Sequence, residues 1–350
     1  VNQVAELTEP RNFSIAARDL PDPAPGEVQV RVAAVGICGS DMHSFAEGSV
    51  GDQICRYPMV LGHEPTGVIL KTGAGVMGWD AGAEVALEPA IYCYHCEFCM
   101  AGRHNVCAHI RFMSSVDDAG FFRERVNLPA KNLLALRPGI SLQQATLLEP
   151  LAIALHSLTF APVQVGGRIA VIGAGPIGLL TIACLKLAGA GRIWAVEPVP
   201  HRREMAIAMG ADAAIDPLTV DAAGEILKDT GQRGVDVVYD CAAKAETVNQ
   251  AARVVCNGGA IVLTGIHAEV KVSLNFHVLR RKEVALFNVR RSNHDSERAL
   301  DLLARNNRLF GGVLTHERPM DQINAAFELV ESYADGVGKL LVLPNGLPAQ

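Results

Sequence analysis

Four cysteines, Cys93, Cys96, Cys99 and Cys107, fall within fifteen residues as C-x2-C-x2-C-x7-C. Four thiolates that close together suit one tetrahedral zinc, and closed S4 coordination leaves no position for substrate, so this metal would be structural. An iron–sulfur run would place the last cysteine three residues on and follow it with proline; here seven residues intervene before Cys107-Ala108. A second set of ligand types is more scattered. Cys38 lies in Gly36-Ile37-Cys38-Gly39-Ser40-Asp41-Met42-His43, His63 and Glu64 in Gly62-His63-Glu64-Pro65-Thr66-Gly67, and Glu149 in Leu148-Glu149-Pro150. A helical H-E-x-x-H protease motif is excluded, because Gly67 stands where its second histidine would be. Taken singly, Cys38 reads as a small buried hydrophobe and His63 as a hydrogen-bonded core residue. A third feature is Gly173-Ala174-Gly175-Pro176-Ile177-Gly178, a G-x-G-x-x-G run. Its glycines serve a tight turn, close approach of a pyrophosphate, and helix–strand packing, with the phosphates facing free amides at the helix start around Pro176 and Ile177. Glu197 follows nineteen residues after Gly178, where a carboxylate would take the ribose hydroxyls and repel a 2′-phosphate. NAD is thus expected over NADP, while Arg202 and Arg203 keep NADP as the alternative; Arg202 could equally lie over the adenine.

The elements that must carry these residues fall into two styles. Val28–Val32 alternates apolar and polar residues, and Val68–Lys71 and Ala83–Ala86 follow between glycine turns, which predicts a small β-rich barrel. From Arg168, apolar strand-like runs (Arg168–Ile172, Gly191–Val196, Val235–Asp240, Ala260–Thr264) alternate with helical stretches (Ile177–Leu187, Arg202–Met209, Ala245–Val255). That pattern predicts a parallel sheet covered on both faces, a doubly wound α/β domain inserted into the β-rich one. The stretch between Arg168 and Lys186 carries no charge. Glycines and a proline in its middle make it a strand, turn and helix rather than a membrane span.

Composition narrows the function classes. The 350-residue chain carries 31 basic and 37 acidic side chains, a net charge of −6, and no Lys/Arg-rich run. Nucleic acid and anionic membrane are therefore not expected partners. Nine cysteines, an odd count on a long chain with no basic–apolar–small leader before the first domain, point to reduced thiols and a cytoplasmic location. Cys55, Cys184, Cys241 and Cys256 receive no chemical role.

Taken together, Gly-Ile-Cys-Gly-Ser-Asp at 36–41, Gly-His-Glu-Pro-Thr-Gly at 62–67, the lobe closing on Gly102-Arg103-His104-Asn105-Val106-Cys107, and Glu149-Pro150 resemble the zinc-containing medium-chain dehydrogenase/reductase family, especially its sorbitol (polyol) dehydrogenase branch. The resemblance extends from Gly26-Glu27-Val28 to Gly338-Lys339-Leu340. It implies a GroES-like catalytic domain over 1–151 with the zinc lobe at 90–110, a Rossmann NAD-binding domain over 152–288, a return to the catalytic domain over 289–350, and an active site in the cleft between the two. It implies two zinc ions per chain. Cys38 and His63 would hold the catalytic one, with Glu64 as third ligand and Glu149 holding or replacing the bound water, only one of the two carboxylates binding tightly at a time. Asp41 would orient His63.

The reaction implied is oxidation of a secondary alcohol or polyol to a ketone by hydride transfer to NAD, with Ser40 and His43 moving the proton. Gly265, Ile266 and Arg290 are carried over as cofactor contacts, and Arg291, Phe45 and Phe112 with Glu149 as substrate contacts. Ser44 and Ser292 stand where polyol enzymes commonly have aromatic residues, so a threonine or short vicinal-diol dehydrogenase is the alternative, and a non-catalytic NAD(H)-binding sensor the distant one. The resemblance also implies a homo-oligomer, a tetramer or else a dimer.

Overall fold

The computed structural model describes residues 1–346; the last four residues of the expected C-terminal return lie outside them. The chain divides into two compact units, Val1–Glu149 with the chain from Ser296 onward, and Pro150–Asp295.

In the first unit a mixed sheet runs in the order Leu133–Ala135, Glu84–Leu87, Glu64–Thr72, Glu27–Gly36, Lys339–Leu343 and Leu314–Pro319, with Arg125–Pro129 also pairing on Glu27–Gly36. The pairings are antiparallel except that between Leu314–Pro319 and Lys339–Leu343. The alternation at 28–32 has the meaning expected of it. Val28, Val30 and Val32 enter the core while Arg31 stays exposed. Gln29 departs from the pattern: it is buried, and its amide donates to Asn127 Oδ1 at 3.0 Å and Pro21 O at 3.3 Å. A buried amide is tolerable only with such partners. The same core takes in Phe13, Phe45, Phe122 and Phe327.

The second unit holds a parallel sheet in the order Ala213–Ile215, Arg192–Val196, Arg168–Ile172, Val235–Asp240, Val255–Leu263, Ala285–Asn288. Numbered along the chain this is 3-2-1-4-5-6, the dinucleotide-binding Rossmann order, in which ligands sit beyond the carboxyl ends of the strands where the order reverses. The uncharged stretch resolves into the strand Arg168–Ile172 and the helix Pro176–Leu187. Among the described residues no helix is long and apolar enough to cross a membrane.

Candidate active site

Three strands of the first unit converge on one buried point. Glu27–Gly36 pairs with Glu64–Thr72 so that Gly36 faces Glu64, and with Lys339–Leu343 so that Gly36 faces Leu341. Glu64 is buried, and its carboxylate is met by the equally buried Lys339, whose Nζ donates to Glu64 Oε1 at 2.5 Å and to Ile37 O at 3.1 Å. Gly36 is glycine because of this pair. A Cβ there would stand 2.0 Å from Glu64 Oε2 and 3.0 Å from Lys339 Cε. Burial alone would lower the Lys339 pKa, but the charges of Glu64, Cys38 and Glu149 outweigh it and raise it.

Cys38 precedes the helix Gly39–Glu47, and its backbone N–H donates to Asp41 Oδ2 at 3.0 Å. Asp41 Oδ1 accepts from Gly62 N at 3.2 Å and lies 3.3 Å from His63 Nδ1. With Asp41 in charge contact beside Nδ1, Nε2, which lies 3.5 Å from Ser40 Oγ, is the nitrogen available to a metal. Donor atoms of Cys38, His63 and Glu64 all lie within 4.8 Å of one another. One sulfur, one nitrogen and one oxygen from protein are the donor set of an open zinc site. The electrostatics fit such an ion. Burial opposes a charged imidazole, yet Asp41 and Cys38 raise the His63 pKa well above its ordinary value, the mark of a site whose anions call for positive charge. Glu149 is half-buried beside this group. Burial, reinforced by the charges of Glu64 and Glu88 against those of His63 and Lys339, pushes it up to about 7.

The four lobe cysteines also come together, with Sγ–Sγ distances of 3.4 Å for Cys107–Cys93 and 3.9 Å for both Cys93–Cys99 and Cys96–Cys107. Tetrahedral zinc with Zn–S bonds near 2.3 Å requires sulfurs about 3.8 Å apart. Backbone amides of Cys99 and Ala108 draw the Cys96 thiol down to about 6, whereas burial and the neighbouring thiols push Cys99 up to about 12.

Other expected residues are placed less uniformly. Phe112 stands beside the metal group, its ring centroid 5.5 Å from that of His63. His43 Nδ1 is 3.1 Å from Glu47 Oε2, one helical turn away. Phe45 requires correction as a substrate wall: it is fully buried, its ring stacked on Phe13 at 5.8 Å and 4.9 Å from Phe327. Phe45 lies two residues past His43 on the short helix Gly39–Glu47, which turns it into the core. Two residues of this site gave too little sequence signal to be singled out. Lys339 opens an otherwise wholly apolar strand, Lys-Leu-Leu-Val-Leu, and a lone cation there implies a buried anion. Glu88, which accepts from Ser296 Oγ at 2.5 Å, carries no motif of its own.

In the second unit the glycine run joins the strand Arg168–Ile172 to the helix Pro176–Leu187, with Gly175 as the residue before the helix and Pro176 its first. Gly178 packs so tightly that a Cβ would lie 1.9 Å from Gly173 O. Glu197 is buried and accepts from Ala174 N at 2.7 Å and from Val199 N at 2.9 Å, so it braces the loop that would carry the dinucleotide. Arg202 is buried at the same loop, near Gly175. Arg203 is held by Asp216 at 3.2 Å and by the Glu197 and Pro198 carbonyls. Gly265 donates its N–H to Asp240 O at 3.0 Å, and Ile266 is exposed beyond the end of the strand Val255–Leu263. Arg290 is exposed, and Arg291 is half-buried with a left-handed backbone, φ 53°.

Comparison with known proteins gives this arrangement its family. Residues 24–138 match the alcohol dehydrogenase GroES-like domain and residues 176–305 the zinc-binding dehydrogenase domain. The chain is 30% identical to sorbitol dehydrogenase of Bacillus subtilis over 98% of its own length and 97% of that protein's. It is 32% identical to L-threonine 3-dehydrogenase of Pyrococcus abyssi over 91% of its length and 92% of that protein's. The crystal structure of 2R,3R-butanediol dehydrogenase from Bacillus subtilis superposes with a TM-score of 0.88 at 28% identity, covering 99% of this chain and 100% of that one. With its GroES-like domain, Rossmann sheet and Cys-His-Glu donor group, the chain is an oxidoreductase of the zinc-containing medium-chain dehydrogenase/reductase family, in its polyol dehydrogenase branch.

Proposed function

We propose that the chain oxidises a secondary alcohol or polyol of the sugar-alcohol type to the ketone, with NAD as hydride acceptor and two zinc ions per chain, one held by Cys93, Cys96, Cys99 and Cys107 and one by Cys38, His63 and Glu64. The observation that carries this reading is the mixed sulfur, nitrogen and oxygen donor set, gathered within 4.8 Å in a chain that also has the Rossmann glycine loop. Glu149 stands by as the second carboxylate, and only one of Glu64 and Glu149 binds tightly at a time, because two carboxylates beside a thiolate would leave the site anionic. NAD is favoured over NADP because Glu197 presents a buried carboxylate at the strand end while Asp216 occupies Arg203.

When bound, zinc supplies the Lewis acid that acidifies the substrate hydroxyl, and the dinucleotide supplies the carbon that accepts hydride. The protein positions and deprotonates. Asp41, 3.3 Å from Nδ1, biases the His63 ring electrostatically toward presenting Nε2 to the metal. Ser40 Oγ, close to that nitrogen, takes the hydroxyl proton. Ser40 gives up its own proton in the same step, and His43 receives it at Nε2, since Glu47 occupies Nδ1. Phe112 screens the group from water. Gly265, Ile266, Arg290 and Arg202 complete the cofactor contacts, and Arg291 meets the substrate hydroxyls.

The deciding experiment follows NADH absorbance with sorbitol, xylitol, galactitol, butanediol and threonine. Turnover of a sugar alcohol at least tenfold above the others supports the reading. A preference for threonine or butanediol replaces it with the second one, which the similarity to L-threonine 3-dehydrogenase and 2R,3R-butanediol dehydrogenase favours. One zinc per chain with no turnover leaves a dinucleotide-binding sensor. A cytoplasmic homo-oligomer, tetrameric or else dimeric, is part of the proposal; its nine thiols all stand unbridged.

A further inference from the structure

The segment after the short strand Arg111–Phe112 closes on itself. Arg111 Nε and Nη2 donate to Asp118 Oδ1 at 2.9 and 2.5 Å, and the backbone N–H groups of Ser114 and Ser115 donate to Asp118 O at 2.9 and 3.1 Å. Ser114 occupies the left-handed region, φ 82°, where a turn ordinarily calls for glycine or asparagine. Its hydroxyl is directed at Asp41 Oδ1, 3.2 Å away. Asp41 is 1% exposed; it also accepts from Cys38 N and Gly62 N and lies 3.3 Å from His63 Nδ1, all in the two segments that carry the metal-ligand candidates.

We infer that Ser114 is a positioning residue for His63: its hydroxyl, brought in by the strained turn 111–118, fixes Asp41 Oδ1 against His63 Nδ1 and thereby sets how firmly the catalytic zinc is held. This rests on the reading of Cys38, His63 and Glu64 as that metal's ligands. Serine tolerates the strained backbone here because the side chain has a task that glycine could not perform. The same residue ties two neighbours of one ligand together, since the turn that brings Ser114 to Asp41 begins at Phe112, which lies against the His63 ring. A hydrogen-bond partner one step behind a metal ligand changes metal affinity by about 10–100-fold when removed.

Ser114→Gly, Ser114→Ala and Ser114→Asn separate a side-chain role from a backbone one. Glycine relieves the backbone and removes the hydroxyl; alanine removes the hydroxyl alone; asparagine tolerates the left-handed region and restores a donor. Each full-length, zinc-loaded variant is titrated with a small chelator, the released metal is counted per chain, and the thermal midpoint is recorded. Wild type is expected to hold two zinc ions. Ser114→Gly and Ser114→Ala should lose the weaker one at about tenfold lower chelator, the glycine variant without a lower thermal midpoint, and Ser114→Asn should recover part of the loss. Glycine and alanine variants that hold zinc as wild type does overturn the inference, as does an asparagine variant no better than glycine. A wild-type chain with one zinc overturns the metal reading, and the inference with it.

Discussion

Lys339 and Glu64 form an ion pair that is closed to solvent on both sides, with side-chain exposures of 1% and 0%. Strands far apart in sequence supply the two residues, and Gly36 between them supplies the missing volume. A buried pair of this kind contributes little net stability compared with well-packed apolar side chains, but removing one partner is costly. Its significance here is that Glu64 cannot give its full charge to a metal while Lys339 holds it. On the proposed assignment the lysine would weaken one ligand of the site, a reason for the second carboxylate at Glu149 to stand close by.

Lys339→Met should therefore destabilise the chain by about 3–5 kcal/mol, the cost of leaving a buried charge unpaired. Adding Glu64→Gln should recover most of that loss while lowering zinc retention. Denaturant midpoints of the two single variants and the double variant test the coupling; additive losses would show that the pair is not a unit.

Much of this arrangement was legible in the sequence because the relevant signals are local. The cysteine lobe, the glycine run and the alternation of apolar strands with helices each lie within a few turns of chain. Gly-His-Glu and Gly-Ile-Cys-Gly-Ser-Asp brought the metal donors into view only as a family pattern, since Cys38 and His63 taken singly read as core. What remained hidden depends on pairings between distant segments. Lys339 meets Glu64 across 275 positions and Ser114 meets Asp41 across 73; neither leaves a periodicity. Phe45 misled because a resemblance along the chain says nothing about which face of a short helix a ring occupies.

Glu149 should give the protein a measurable pH dependence. Its folded pKa, raised to about 7, exceeds the ordinary value of 4.5. Between these values the native state binds more protons than the unfolded one, so its contribution to stability is complete below about pH 4.5 and is lost as pH rises through 7. Zinc-depleted protein should thus lose stability from pH 5 to pH 8 more steeply than zinc-depleted Glu149→Gln. Parallel denaturation curves at four pH values, with equal slopes for both proteins, would refute it.

Glu197 braces the glycine loop, and under the proposed function it also meets the ribose; one variant separates the two. Glu197→Gln keeps an oxygen for the Ala174 or Val199 N–H but removes the charge. KM for NAD should rise about tenfold, and the ratio of kcat/KM for NAD over NADP should fall, because the repulsion of a 2′-phosphate disappears. Initial rates with both cofactors decide this. An unchanged ratio would mean that Glu197 only braces the loop.

The two phenylalanines that the family resemblance offered as substrate contacts should respond in opposite ways. Phe45 packs among Phe13, Phe122 and Phe327 with no exposed surface, so Phe45→Ala should cost about 3–5 kcal/mol of stability by cavity formation. Its effect on kcat/KM at low temperature, where the variant remains folded, should be small. Phe112 is half-buried beside His63, and its loss admits water next to the reacting hydroxyl. Phe112→Ala should leave the denaturation midpoint near wild type and lower kcat/KM about tenfold or more, corresponding to about 1.4 kcal/mol of transition-state stabilisation. If Phe45→Ala instead raised KM with its stability intact, that ring would belong to the substrate pocket after all, and the packing of the helix Gly39–Glu47 against the core would have to change when substrate binds.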